Sequence, residues 1–143
     1  MRIFIALFIV VLSGCASIDS VSDQSYFQGV IGAELELQRE GLLFERSERL
    51  YQEGVTHYLY DKDRNNSWRK EGWVPVGTKV TILEVNRYST HEGGPWIGAV
   101  GIVFLNNNRS YKFIYHWSDF SQQLKKAPWE PDNMPKRSVE ALL

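Results

Sequence analysis

The sequence predicts an all-β domain: a single small antiparallel barrel or curled sheet, followed by a short C-terminal helix and a proline-containing tail. Three observations carry this reading. Short runs that alternate apolar and polar residues, or are dense in β-branched and aromatic side chains, recur along the chain. Clusters of Gly, Pro, Asn and Asp separate them, and little of the chain shows helical spacing. The 143 residues suit one domain and are short for two.

The first segment stands apart. Met1-Arg2 precedes an unbroken apolar run, Ile3 to Leu12, and then the small residues Ser13 and Gly14. A run of that length, at about 1.5 Å per residue, covers only about half of a ~30 Å hydrocarbon core. It therefore fits a secretory signal peptide better than a spanning helix. Leu12-Ser13-Gly14-Cys15 resembles the lipobox of bacterial lipoproteins, in which an aliphatic residue and two small ones lead to a cysteine. The resemblance implies a diacylglycerol on the Cys15 thiol, cleavage between Gly14 and Cys15, and acylation of the freed amine. Two or three acyl chains, at about 0.8 kcal/mol per buried methylene, hold a protein on its membrane permanently. In Gram-negative lipoproteins an aspartate after the cysteine favours the inner membrane. Ala16 and Ser17 stand there instead, which implies the periplasmic leaflet of the outer membrane.

The expected organisation is a signal over residues 1–14, a Ser-, Asp- and Gln-rich flexible tether over 15–28, the β domain over 29–126 and the tail over 127–143. Within the domain, Ala33 to Gln38 alternates apolar and polar residues, as a half-buried strand does. Gly41 opens a second run, Leu42-Leu43-Phe44, and Val55 to Tyr60 is β-branched and aromatic. Val74-Pro75-Val76-Gly77 reads as a turn with Pro75 second and Gly77 fourth. Lys79 to Val85 follows as a strand, with Val80 and Ile82 facing one way and Leu83 and Val85 the other. The stretch Val74 to Val85 resembles a turn-and-strand piece of small bacterial Src-homology-3-type barrels.

Trp96 to Leu105 is almost continuously apolar, with Gly98 and Gly101 where a sheet can bend or bulge. Asn106-Asn107-Asn108 supplies a turn, since Asn tolerates positive φ. Arg109 to Trp117 returns, placing Tyr111, Phe113, Tyr115 and Trp117 on one face. Asp119, with Gln122 three residues on, predicts a short helix. Pro128, Pro131 and Pro135 predict a surface tail, and Ser138 to Leu143 a last helical turn.

Composition and motifs exclude more than they assign. The 16 Lys+Arg against 17 Asp+Glu argue against nucleic acid as a partner. One cysteine leaves no intrachain disulfide and no cysteine-built zinc site. Asp61, Asp63 and Asn65 begin like a calcium loop, but Asn66 replaces the needed glycine and Gly72 the bidentate glutamate. His57, His91 and His116 lack metal-ligand spacing. There is no Gly-x-Ser-x-Gly elbow, and Gly93-Gly94-Pro95 leads to no phosphate loop. Glu34, Glu36, Glu40, Glu45 and Glu48 interleave with Arg39, Arg46 and Arg49, as on a solvated surface. No catalytic set, metal or cofactor is therefore expected beyond the covalent lipid on Cys15, and a hydrolase is a remote alternative.

The aromatics are the remaining lead. Beyond the signal, 17 stand in 129 residues, and most must fill a core. Trp68, Trp73, Trp96 and Trp129 lie near expected turns or strand ends, where an exposed ring stacks on a sugar or clamps a peptide. The sequence thus leads to a non-catalytic, lipid-anchored lipoprotein that binds a protein partner of an envelope assembly. The alternative is a peptidoglycan- or glycan-binding module.

Overall fold

The computed structural model describes residues 16–45, 52–61, 69–89, 94–118, 123–135 and 137–138. Among these residues there are strands and no helix. β1 (Ser17–Ser20), β2 (Glu34–Glu36), β3 (Gly41–Glu45), β4 (His57–Tyr60), β5 (Arg69–Val74), β6 (Lys79–Ser89), β7 (Trp96–Phe104) and β8 (Ser110–His116) form one sheet. β9 (Gln123–Leu124) and β10 (Arg137–Ser138) pair separately. The large sheet runs β1-β6-β7-β8-β4-β3-β5, with β2 beside β6.

The all-β class is as expected, but the sheet is mixed rather than purely antiparallel. Two antiparallel units, β6-β7-β8 and β4-β3-β5, meet at a short parallel seam in which His57 faces Phe113 and Tyr58 faces Ile114. Alternation in a sequence marks a strand but not the direction of its neighbour. The expected β7–β8 hairpin is present, paired from Gly98↔His116 to Phe104↔Ser110. Asn108 takes φ 57° in its turn, and the Leu105 N–H donates to the Arg109 carbonyl at 2.8 Å.

Both faces of the sheet carry buried side chains. One core gathers Leu43, Leu59, Val80, Ile82, Phe113, Tyr115 and Trp117, and the other Leu42, Phe44, Tyr58, Tyr88, Trp96 and Ile114. The strict alternation along β3, β4 and β8 sorts residues between them. On β6 the alternation breaks. Ile82 faces Gly101 but Glu84 faces Val100, so Leu83 is the extra residue of a bulge and is 40% exposed. This corrects the expected pairing of Leu83 with Val85 on a buried face: the bulge returns Val85 to the core of Val80 and Ile82. The turn before β6 is also shifted by one residue. The Thr78 N–H donates to the Pro75 carbonyl, which puts Gly77 third, at φ 81°, where a type II turn needs positive φ.

The stretch expected to be a tether lies on the domain instead. β1 pairs with β6 from Ser17↔Ser89 to Ser20↔Asn86, and Phe27 is fully buried, 5.3 Å from the Trp117 ring. Its polar composition misleads because β1 is held by backbone pairing with its side chains in solvent, while one aromatic supplies the burial. The surface tail is corrected likewise. Ala127, Pro128, Trp129 and Glu130 are buried, and Trp129 lies 5.4 Å from Trp117 and 5.2 Å from Tyr115. Arg39 clasps this segment, donating to the Lys126 and Ala127 carbonyls at 2.7 and 2.8 Å. Prolines forbid a helix, yet they leave a chain free to pack irregularly. Asp119, Gln122 and residues 139–143, where helical turns were expected, lie outside the described residues, and Ser138 belongs to β10.

On the second face, Tyr88, Trp96 and His116 form a three-ring stack with centroids 4.2 and 3.9 Å apart. Gly98 makes room for it, since a Cβ there would meet the Trp96 ring at 2.6 Å and the Tyr88 ring at 2.8 Å. The Tyr88 hydroxyl donates to Gln52 Oε1 at 2.7 Å, Asn86 donates to the same oxygen, and the Gln52 amide reaches Glu84. Burial pushes the Tyr88 hydroxyl up to about 12, against the pull of the Asn86 hydrogen bond and with further upward pushes from Glu84 and Tyr58. An unfolded tyrosine ionises near its ordinary value of 10.0, so the folded chain keeps this proton longer than the unfolded one. Its contribution is therefore complete below pH 10 and is lost as pH rises towards 12. Urea unfolding between those values should show wild type losing stability more steeply than Tyr88→Phe, and equal slopes would contradict this burial.

Candidate functional site

The four tryptophans singled out by sequence have different fates. Trp68 lies outside the described residues. Trp96 is sandwiched in the ring stack and Trp129 is a core residue, both under a tenth exposed. Trp73 alone of the three described is open, at 51% exposure. It stands on β5, which ends the sheet path and pairs only with β3 among the described residues. Alternation along an edge strand turns every second side chain to water, and Val74 takes the core side.

The geometry around Trp73 is set by a second bulge. Leu43 faces Gly72 while Phe44 faces Lys70, so Glu71 is the extra residue. Gly72 accommodates the kink at φ 151°, a conformation that side chains oppose. The bulge directs Glu71 towards Arg109 at the end of the β7–β8 turn, with 3.7 Å between carboxylate and guanidinium. Beside this pair, between β5 and the β7–β8 turn, lies an open recess of about 110 Å³. Leu43, Val74 and Leu105 supply its apolar lining, and Glu71, Gly72, Trp73, Asn107, Arg109 and Tyr111 the rest. The Lys70 ammonium lies 5.0 Å from the Trp73 ring centroid, and the Arg109 guanidinium lies 5.0 Å from that of Tyr111. The Tyr111 hydroxyl is buried with no hydrogen-bond partner among the described residues.

The other sequence candidates do not converge on chemistry. His57 is buried, its Nδ1 2.7 Å from Thr56 Oγ1 and its ring 4.4 Å from that of Tyr111. His116 belongs to the ring stack, and His91, Asp63, Asn65 and Asn66 lie outside the described residues. Among the described residues no group of His, Cys, Asp and Glu side chains is placed to hold a metal. Glu34 pairs with Lys79 at 2.6 Å, and Arg39 pairs with Asp132 at 3.2 Å, as on a solvated surface. Gly14 and Cys15 lie outside the described residues, whereas Ala16 and Ser17 are exposed.

Sequence reasoning found Trp73 but missed Glu71, Asn107, Arg109 and Tyr111. The last three were read as parts of a turn and strand, and no sequence spacing brings them to β5. The signal that existed was Gly72 beside Trp73, which marks a bulge at an edge. Comparison with protein-family models, curated proteins and solved structures returned no match for this chain.

Proposed function

We propose that the chain is a lipid-anchored lipoprotein of the outer membrane's periplasmic leaflet, and that its domain is a non-catalytic binding module for a protein of an envelope assembly. The observation that carries this is Leu12-Ser13-Gly14-Cys15 behind a basic residue and an apolar run. The fold adds a geometric consequence. β1 begins at Ser17, two residues past the lipid-bearing cysteine, so the sheet is held within about 10 Å of the anchor at ~3.3 Å per residue. A partner must therefore meet the domain close to the membrane.

Photo-crosslinking in intact cells from positions on the exposed faces, followed by mass spectrometry, tests the reading. Recovery of the same envelope protein across growth conditions supports it, and its absence from all of them opposes it. One observation favours the second reading, a module for peptidoglycan or another glycan: the half-exposed Trp73 beside polar side chains. Retention on purified sacculi above a charge-matched control supports that reading, and equal retention opposes it.

A further inference from the structure

We propose that β1 is a detachable strap that peels from β6, hinges at Val21 and so lengthens the link between Cys15 and the sheet. The opening rests on the fold alone. Its meaning for membrane reach rests on the lipid anchor proposed above.

One edge of β6 is covered by β7, and the other is shared among three stretches of the N-terminal chain. β2 pairs with Lys79 to Thr81, the Gly32 N–H donates to the Ile82 carbonyl at 2.8 Å, and β1 pairs with Asn86 to Ser89. The first two stretches lie beyond Phe27, whose ring is fully buried against Trp117. β1 has no such hold. All four of its residues are exposed, Ile18 at 42% among them. Asp19 reaches Arg87 at 3.0 Å, but the two side chains are 49% and 34% exposed, and a pair in that setting contributes little. Segments with exposed backbone pairing and few buried apolar contacts open at free energies well below that of the whole domain.

The hinge is set by the next two residues. Val21 is buried, and its N–H donates to the Val85 carbonyl at 2.9 Å. The Ser22 hydroxyl accepts from the Val85 N–H at 2.8 Å and donates to the Val85 carbonyl at 3.2 Å. β1 thus ends where side chains begin to hold the chain. Val85 turns its backbone groups to this edge, so alternation turns those of Arg87 and Ser89 the same way, onto β1. With the strap closed, the first held residue is Ser17, two past Cys15. With it open, the first is Val21, six past Cys15, a span of ~20 Å at ~3.3 Å per residue. Opening also bares a short edge of β6, where the Arg87 charge discourages pairing with another chain.

Native-state hydrogen exchange of the mature chain in detergent, read amide by amide by nuclear magnetic resonance, tests the strap. The Asp19, Arg87 and Ser89 amides should exchange at least about a hundredfold faster than those of Val100 in β7 and Ile114 in β8. Their rates should stay flat in low urea, because a local opening exposes little surface. The Val85 amide, held beyond the hinge, should exchange with the slow group. Asp19→Ala should speed Arg87 and Ser89 about twofold to fivefold and leave Val85, Val100 and Ile114 unmoved. Arg87 protected as strongly as Val100 overturns the proposal, as does Asp19→Ala speeding all of these amides alike. Fast exchange at Val85 overturns the hinge at Val21. The anchor is judged separately: fast β1 exchange with Cys15 unmodified supports the strap and removes its membrane, and slow β1 exchange with Cys15 lipidated overturns the strap alone.

Discussion

Trp117→Ala is expected to destabilise the domain by ~3–5 kcal/mol, the range for removing a large buried aromatic. Trp117 is fully buried where three segments meet. Phe27 comes from the N-terminal stretch, Trp129 from the tail, and Arg137 of β10 lies 5.6 Å over its ring. Its indole N–H is buried without a partner among the described residues, so the side chain contributes by area and shape, not by a hydrogen bond. Trp117→Phe should therefore cost clearly less than Trp117→Ala, because it keeps a ring and removes the unsatisfied donor. Urea unfolding checks both. A loss below about 1 kcal/mol for Trp117→Ala would mean that neither terminal segment packs as described.

The second large effect falls on the neighbouring ion pair. Glu130→Ala is expected to cost ~3–5 kcal/mol, as when one member of a buried pair is removed and its partner is left behind. Glu130 is 4% exposed, and its carboxylate binds the Arg137 guanidinium on one oxygen and the Ala127 N–H on the other, the latter at 2.7 Å. It thus both closes the tail's turn and holds β10. Arg137 lies over Tyr26 and Trp117, so an unpaired guanidinium would be stranded against two rings. Glu130→Ala and Trp117→Ala share Arg137, and their effects should be less than additive in a double-mutant cycle. Strict additivity would show that Arg137 does not couple the two sites.

The central strands were legible because their local patterns and their burial agree. β7 and β8 read as a hairpin from Trp96 to Trp117, with an Asn turn between them, and Phe113, Tyr115 and Trp117 share a face as expected. The N-terminal stretch and the tail were misread because each is anchored by one large aromatic, Phe27 or Trp129, inside a polar or proline-containing context. Backbone pairing of β1 leaves no hydrophobic pattern to detect. Bulges hid the remainder. Each inserts one residue, Leu83 or Glu71, and reverses which side chains beyond it face the core. The same cause made most of the candidate site invisible. Trp73 stood out by type, whereas Glu71 meets Arg109 only through a kink and a long-range approach.

The proposed anchor is the claim on which the rest of the functional account depends, and the mass of the mature N-terminal peptide tests it most directly. In a Gram-negative host, the account predicts a chain that begins at Cys15 and carries a thioether-linked diacylglycerol and an N-acyl chain. Cys15→Ser should abolish both, together with palmitate incorporation. A chain that still begins at Met1, or that is cut elsewhere with Cys15 unmodified, would contradict it.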